Sequence, residues 1–412
     1  MNPTTFLEVP IIGNRWAVGS VFLVHIAIVA FVIGAAMLAP VAEWLGHRHK
    51  SPHWDTFAHG LGSTVVKLYA FGATWAVFAL VLLFALYPRL FGVLMGLFFW
   101  VGIVIALLWL VMSLSVYLYY ESWERLRARP RLHMALGWTF VASTMVFITL
   151  ISAVAAFQLA PNDATSTPAT LLTATWAPQV VHRHVGNLSY AGLVLAGYGG
   201  LRMLFFPKDA HEARAYHDWL GDFGALLGVG LIFVQPLIGA WYASAIDAAS
   251  PAAFRHITSG SRSWLFLLQL ALFGSVLFLA NLYFALAIER GAGARPRTAR
   301  WLRLSTAGFV VFAALVLLGR VPGFGAARYV GLGLFVLLTT ANFVLYWRAR
   351  CDFRWGKVGR GPPALLLALG LLAIGLLVTM GTLRSVAREP WLIYERMHRD
   401  SAQQFERRSL EP

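Results

Sequence analysis

"WAVGSVFLVHIAIVAFVIGAAMLAPVA", residues 16–42, runs for 27 residues without Asp, Glu, Lys or Arg and contains one ionisable side chain, His25. A run of this length exceeds the roughly 20 apolar residues that cross a bilayer as a helix. Nine further runs follow, at about 64–87, 90–119, 134–159, 184–206, 223–245, 264–288, 302–319, 326–347 and 363–383. The eighth is the shortest and precedes a break at "GRVPGFG". Composition agrees: 59% of the 412 residues are hydrophobic and 12% charged, against roughly 25% charged in a soluble domain. The expected fold is all-α, a polytopic transmembrane helical bundle of about ten helices. Residues 1–412 are expected to form a single integral membrane domain, with 384–412 as an arginine-containing C-terminal tail.

A formal net charge of +15 invites a nucleic-acid reading. That reading fails, because the basic residues lie in short loops between apolar runs and build no basic domain. Loop charge instead orients the bundle. The loops after segments 1, 3, 5, 7 and 9, including "RLRARPR" and "RARCDFRWGKVGR", hold about 19 Lys and Arg; the opposite loops and the N-terminal segment hold about seven. The positive-inside rule makes the first set cytoplasmic and puts both termini on the periplasmic side. The tail opposes this trend with six arginines, among them Arg388, Arg396 and Arg399, but a translocated tail carries charge more readily than a short loop. The lone cysteine, Cys351, excludes an internal disulfide and a cysteine-held iron–sulfur cluster. Before the first long apolar run there is no basic n-region or small-residue cleavage site, so that run is expected to be a retained helix.

Histidines carry the functional signal. His25 lies about nine residues into the first segment, roughly 14 Å along a helix. An ionisable group at that depth is costly unless paired or coordinated; an interhelical hydrogen bond, an ion-path role and an axial haem ligand all answer that cost. In "APQVVHRHVGNLSYAG", residues 177–192, His182 and His184 stand where the fifth segment begins. Neutral imidazole ligates iron well, and two transmembrane helices can offer nitrogens to opposite faces of a porphyrin. Arg183, or another arginine at that level, suits a propionate; a hydrated interfacial cluster is the plain alternative. His47, His49 and His53 in "EWLGHRHKSPHWD" lack a recognised zinc spacing. Lys67 reads as a snorkelling side chain, and most tryptophans read as interfacial anchors. No phosphate loop or dinucleotide fingerprint occurs. No predicted membrane segment carries an acidic pair, and the paired, broken-helix pattern of secondary transporters is absent.

Several motifs in order resemble subunit I of the cytochrome bd-type quinol oxidases. Arg15 and His25 have the spacing of that family's N-terminal arginine and a haem-ligating histidine. "YYESWERL" resembles its aromatic run ending in Trp-Asp-Arg, with Trp123, Glu124 and Arg125 in register. "LHMALGW" followed by "AVAAFQLAP" resembles its fourth helix. His184 to Tyr190 resembles the pattern carrying the low-spin haem b ligand, and "VAREPWLIY" resembles Gly-Arg-Gln-Pro-Trp, matching Arg388, Pro390 and Trp391. The resemblance implies cofactor-binding roles for His25, His184, His182, Arg15, Arg388 and Trp391, with His25 and His184 as the metal ligands. It implies haem b, leaves room for a second haem and does not call for haem d.

Departures narrow the expectation. The family's two channel glutamates fall at Val104 and Met112, and Ser385 stands where a glutamate serves the haem pair. Tyr329 and Trp264 fall where a ligating methionine is sought. The loop between segments 6 and 7, "ASAIDAASPAAFRHITSG", is short where the oxidases carry a long quinol-binding loop. The groups for proton delivery are lost while the histidines remain. The expected function is a haem-binding membrane subunit passing electrons between a quinone/quinol pool and a periplasmic redox partner such as a cytochrome c-like protein, with a second membrane subunit beside it. The alternatives are a bd-like quinol:oxygen oxidoreductase with an altered proton path, a haem-free scaffold, and transport.

Overall fold

The computed structural model describes residues 7–163, 167–205, 207, 210–291, 296–319 and 321–403. The chain there is almost wholly helical. The long helices α1 (Gly13–His49), α2 (Pro52–Leu86), α3 (Pro88–Glu121) and α4 (Pro130–Leu159) come first. The short α5 (Thr167–Leu171) follows, then α6 (Trp176–Phe205), α7 (His211–Ile232), α8 (Gln235–Ala249), α9 (Pro251–Thr258) and α10 (Ser263–Ala287). After these come α11 (Pro296–Ser305), α12 (Gly308–Leu318), α13 (Ala327–Ala349) and α14 (Gly361–Ala387). The antiparallel strands β1 (Trp391–Ile393) and β2 (Met397–His398), and a single turn, α15 (Arg399–Ala402), close the described chain. Among the described residues ten helical segments are long and apolar enough to cross a membrane, α7 with α8 and α11 with α12 each counting as one. Helices satisfy their backbone polar groups internally, which hydrocarbon demands.

Helix length explains where the structure departs from the sequence expectation. The 37 residues of α1 extend about 55 Å at 1.5 Å per residue, well beyond a hydrocarbon core of about 30 Å. The polar helix ends project past the apolar window, and hydropathy misses them. Thus α1 runs through His47 to His49, and only Lys50 and Ser51 separate it from α2. Prolines start α2, α3 and α4, where the missing N–H costs nothing. His182 and His184 do not open their helix: α6 begins at Trp176 and sets them in its second and third turns. The sixth span starts at His211 and contains buried Asp218 and Asp222. This corrects the expectation that no membrane segment carries an acidic pair.

Two compact units divide the chain: Met1–Asn187, Leu237–Trp264 and Gly381–Pro412 in one, Leu188–Pro236 and Leu265–Met380 in the other. In the first, α1 packs on α2 and α4, and α3 packs on α2 and α4. The tail folds back onto one end of this bundle, with Ile393 and Met397 of the hairpin joining Ala17, Val18, Leu86 and Leu90 in a common apolar cluster.

In the second unit, glycines let backbones meet. A Cβ on Gly224 of α7 would lie 2.5 Å from the Gly192 carbonyl oxygen of α6, and one on Gly197 would lie 2.9 Å from Gly370 Cα of α14. A buried polar network sits in the same unit. Asp218 accepts from Arg290 Nη2 at 2.5 Å and from the Gly356 backbone at 2.9 Å. Asp222 accepts from Arg350 Nε at 2.6 Å and from the hydroxyls of Tyr283 and Tyr346 at 2.8 and 2.6 Å. Arg290 also donates to both tyrosines. Two carboxylates thus face two guanidiniums, the balance that charges removed from water require.

Gly224→Ala should cost about 1–3 kcal/mol, because backbone atoms cannot move aside. Gly375→Ala, with nothing within 4 Å of the added carbon, should be neutral or gain up to about 1 kcal/mol of helix propensity. Thermal midpoints of the two purified variants, compared with the parent, test the difference.

Candidate functional site

His25 and His184 of the first unit each keep one nitrogen bonded and one bare. His25 Nδ1 lies 3.0 Å from the Gly72 carbonyl of α2. A carbonyl only accepts, so Nδ1 carries the hydrogen and Nε2 keeps its lone pair. Gly72 makes this approach possible, since a Cβ there would meet Ile28 and Val29 of α1 at 3.3 and 3.4 Å. On α6, His184 Nε2 lies 3.2 Å from the Thr149 hydroxyl of α4, and that hydroxyl donates to the Met145 carbonyl at 2.8 Å. A hydroxyl has one hydrogen. Thr149 therefore accepts from His184 Nε2–H, and Nδ1 is left bare, buried and without a hydrogen-bond partner. A buried polar atom in that condition calls for a ligand or ion to meet it.

Beside these rings is a group of arginines that sequence reasoning only partly saw. Arg183 donates to Ser152 Oγ at 3.0 Å, and Gln179, one turn earlier on α6, donates to the Ser152 carbonyl at 3.0 Å. Gln179 Oε1 in turn accepts from Arg384 Nη2 at 3.0 Å and from the Tyr242 hydroxyl at 3.2 Å. Arg388 donates to Gln158 Oε1 at 3.0 Å. Arg183 lies within electrostatic reach of His25, His184 and Arg384, and Arg384 within reach of Arg388. Among the described residues no carboxylate pairs with Arg183, Arg384 or Arg388, and Arg384 Nε is buried without a partner. Burial, then repulsion from Arg384, pulls the Arg388 guanidinium below its ordinary value, down to about 10, with Tyr242 acting the other way. It stays charged near neutrality. Three gathered cations held by neutral oxygens have the chemistry to receive an anion.

The remaining sequence candidates fall around this centre. The His182 ring packs on Tyr242, centroids 6.0 Å apart. Trp391 lies in an apolar cluster with Tyr242 and Leu383 and meets His398 edge to face. Arg15 does not join the arginine group: it forms an ion pair with Glu389, which Arg262 also reaches at 3.1 Å. Gln179, Arg384 and Tyr242 were missed. Their signal was spacing: Gln179 and Arg183 are four apart on one face of α6, and Arg384 stands four residues before Arg388, which directly follows the end of α14. Among the described residues no group of three or more His, Cys, Asp or Glu is arranged to hold a metal ion.

A family model described as cytochrome bd terminal oxidase subunit I matches residues 14–263. The solved structure of a bd oxidase from Geobacillus thermodenitrificans has a similar fold, with a TM-score of 0.53 at 12% identity over 90% of this chain and 97% of that one. No curated protein matches the sequence.

Glu389→Gln releases both arginines, which are 35% and 42% exposed. Each exposed pair is worth up to about 1 kcal/mol. The variant should therefore lose about 1–2 kcal/mol, and the loss should shrink in high salt; thermal unfolding at low and high ionic strength measures both.

Proposed function

Because the chain belongs to the cytochrome bd terminal oxidase subunit I family, a polytopic protein of the bacterial inner membrane with a role in electron transport, we propose that it is a haem-binding subunit. It passes electrons between a quinone/quinol pool and a periplasmic redox protein, in a respiratory complex with a second membrane subunit. The observation that carries this reading is the bare, buried Nδ1 of His184 beside three arginines that lack carboxylate partners.

These residues fit a haem. His25 offers Nε2 and His184 offers Nδ1, each ring fixed by a bond from its other nitrogen, as metal-ligating histidines usually are. Arg183, Arg384 and Arg388 would hold its propionates. Haem, when bound, supplies a one-electron iron couple. The guanidiniums would favour the more negative charge state and so raise the potential. His182 and Trp391 border the site, and Arg15, through Glu389, positions the segment that carries Arg388. Two ligating histidines accommodate one or two haems of the b type.

The electron-transfer reading is favoured over oxygen reduction by the positions that would feed protons to an oxygen site. Val104 is 45% exposed and faces out of the bundle, and apolar Met112 is buried. Tyr329 and Trp264, at the family's methionine position, are both exposed.

A reduced-minus-oxidised spectrum of the purified native complex should show haem b bands that His25→Leu or His184→Leu diminishes. Arg384→Gln should lower the midpoint potential without removing the bands. A haem d band with oxygen consumption would return the chain to the oxidases, and intact complex without haem would leave a scaffold.

A further inference from the structure

At the opposite end of the first unit, a buried cluster has no part in the site above. Glu43 of α1, Tyr119 in the last turn of α3 and His133 in the first turn of α4 are each 2–3% exposed. His133 Nε2 lies 2.7 Å from the Tyr119 carbonyl. That carbonyl is among the last four of α3, and the Trp123 amide that would serve it bonds Tyr120 instead. The imidazole therefore caps the helix and must carry hydrogen on Nε2. The Tyr119 hydroxyl donates to Glu43 Oε2 at 3.0 Å. Between His133 Nδ1 and Glu43 Oε1, 2.7 Å apart, lies one more hydrogen.

That last proton has two homes. On nitrogen it makes an imidazolium facing a carboxylate; on oxygen it makes a neutral imidazole facing a carboxylic acid. The total charge is the same, and no heavy atom has to move. Without the proton, a carboxylate would face a bare nitrogen at 2.7 Å, and the contact joining α1 to α4 would become repulsive.

Packing leaves one approach. Gly62 of α2 and Gly137 of α4 make room for the Tyr119 ring, since a Cβ on either would come within 3.4 and 2.9 Å of it. Pro40 closes one wall, and Trp123 stands edge-on to His133 with centroids 4.9 Å apart. From α2, His59 stacks on Tyr120 and Trp123, and Asp55 lies against Gly46, so neither faces the couple. His47, one turn after Glu43, does: its Nε2 is 3.6 Å from Oε1, and its side chain is 42% exposed.

We propose that Glu43, His133 and Tyr119 form a buried site for a single proton, and that His47 is its door to water at the end of the bundle that loop charge assigns to the cytoplasm. Uptake moves the Nε2 proton of His47 to Glu43 Oε1 once a swing of the exposed His47 ring, or one bridging water, spans the 3.6 Å between them; there it bridges to His133 Nδ1, and His47 regains a proton from water, release being the reverse. Glu43 is 18 residues from His25, about 27 Å along α1. A unit charge at that range changes the proton equilibrium by about threefold at an effective dielectric of 20. The site therefore responds to the cytoplasm far more than to the redox centre, and it stands or falls independently of the haem reading.

Infrared difference spectra of the intact complex, acid minus alkaline, test this. We expect a carboxyl signal that disappears in Glu43→Gln and also in His133→Gln, because the two groups share the proton. A spectrum that Glu43→Gln leaves unchanged overturns the site. His47→Ala should keep the signal but slow its deuterium exchange by about a hundredfold, the low end of what a positioned proton-transfer group contributes; exchange at the parent rate overturns the door. If either Gln variant fails to assemble, isotope-labelled glutamate and histidine in the parent decide. One glutamate and one histidine changing together with pH support the couple, and separate or absent changes defeat it.

Discussion

An ionised group removed from water is costly without a partner, and that constraint sorts the buried charged residues of this chain into three kinds of cluster. Asp218 and Asp222 are matched by Arg290 and Arg350. Glu43 is matched by His133 and capped by Tyr119. Both clusters supply their own countercharge. Arg183, Arg384 and Arg388 do not: their oxygens come from Ser152, Gln179 and Gln158, which neutralise nothing. The cluster left with unbalanced charge is the one beside His25 and His184, where a charged ligand would complete it.

The ten spans could be read from the sequence because hydropathy reports the thickness of the bilayer, which these segments all meet. Their ends could not be read, because polar turns beyond the hydrocarbon look like loop. The same error hid Asp218 and Asp222, which precede the apolar run of their helix by one turn, and moved His182 and His184 to a helix mouth they do not occupy. At the site, His25 stood out because histidine is costly at depth, and His184 because it leads directly into an apolar run. What each ring bonds was not legible: Gly72 and Thr149 are ordinary residues on other helices, and only packing brings them into reach. The i,i+4 pairs Gln179–Arg183 and Arg384–Arg388 were legible in principle.

The motif around Arg388 shows how a chain can keep a shape while changing its chemistry. Where the family pattern has Gln between Arg and Pro, this chain has Glu389, and Arg15 and Arg262 gather on it. One substitution turns a neutral position into an anchor and holds Arg15 away from the arginine cluster. A fold shared with a bd oxidase at 12% identity is compatible with many such exchanges, because helix length, apolarity and small contact residues preserve the bundle.

The first unit is assembled from separated stretches of the sequence, and this orders events during synthesis. His25, Ser152, Gln179, Arg183 and His184 are translated before the second unit, Arg384 and Arg388 after it. A nascent chain held at the insertion machinery thus has its imidazoles in place with only one of the three guanidiniums. The arginine group is completed only once the intervening helices have been threaded, which ties its assembly to theirs.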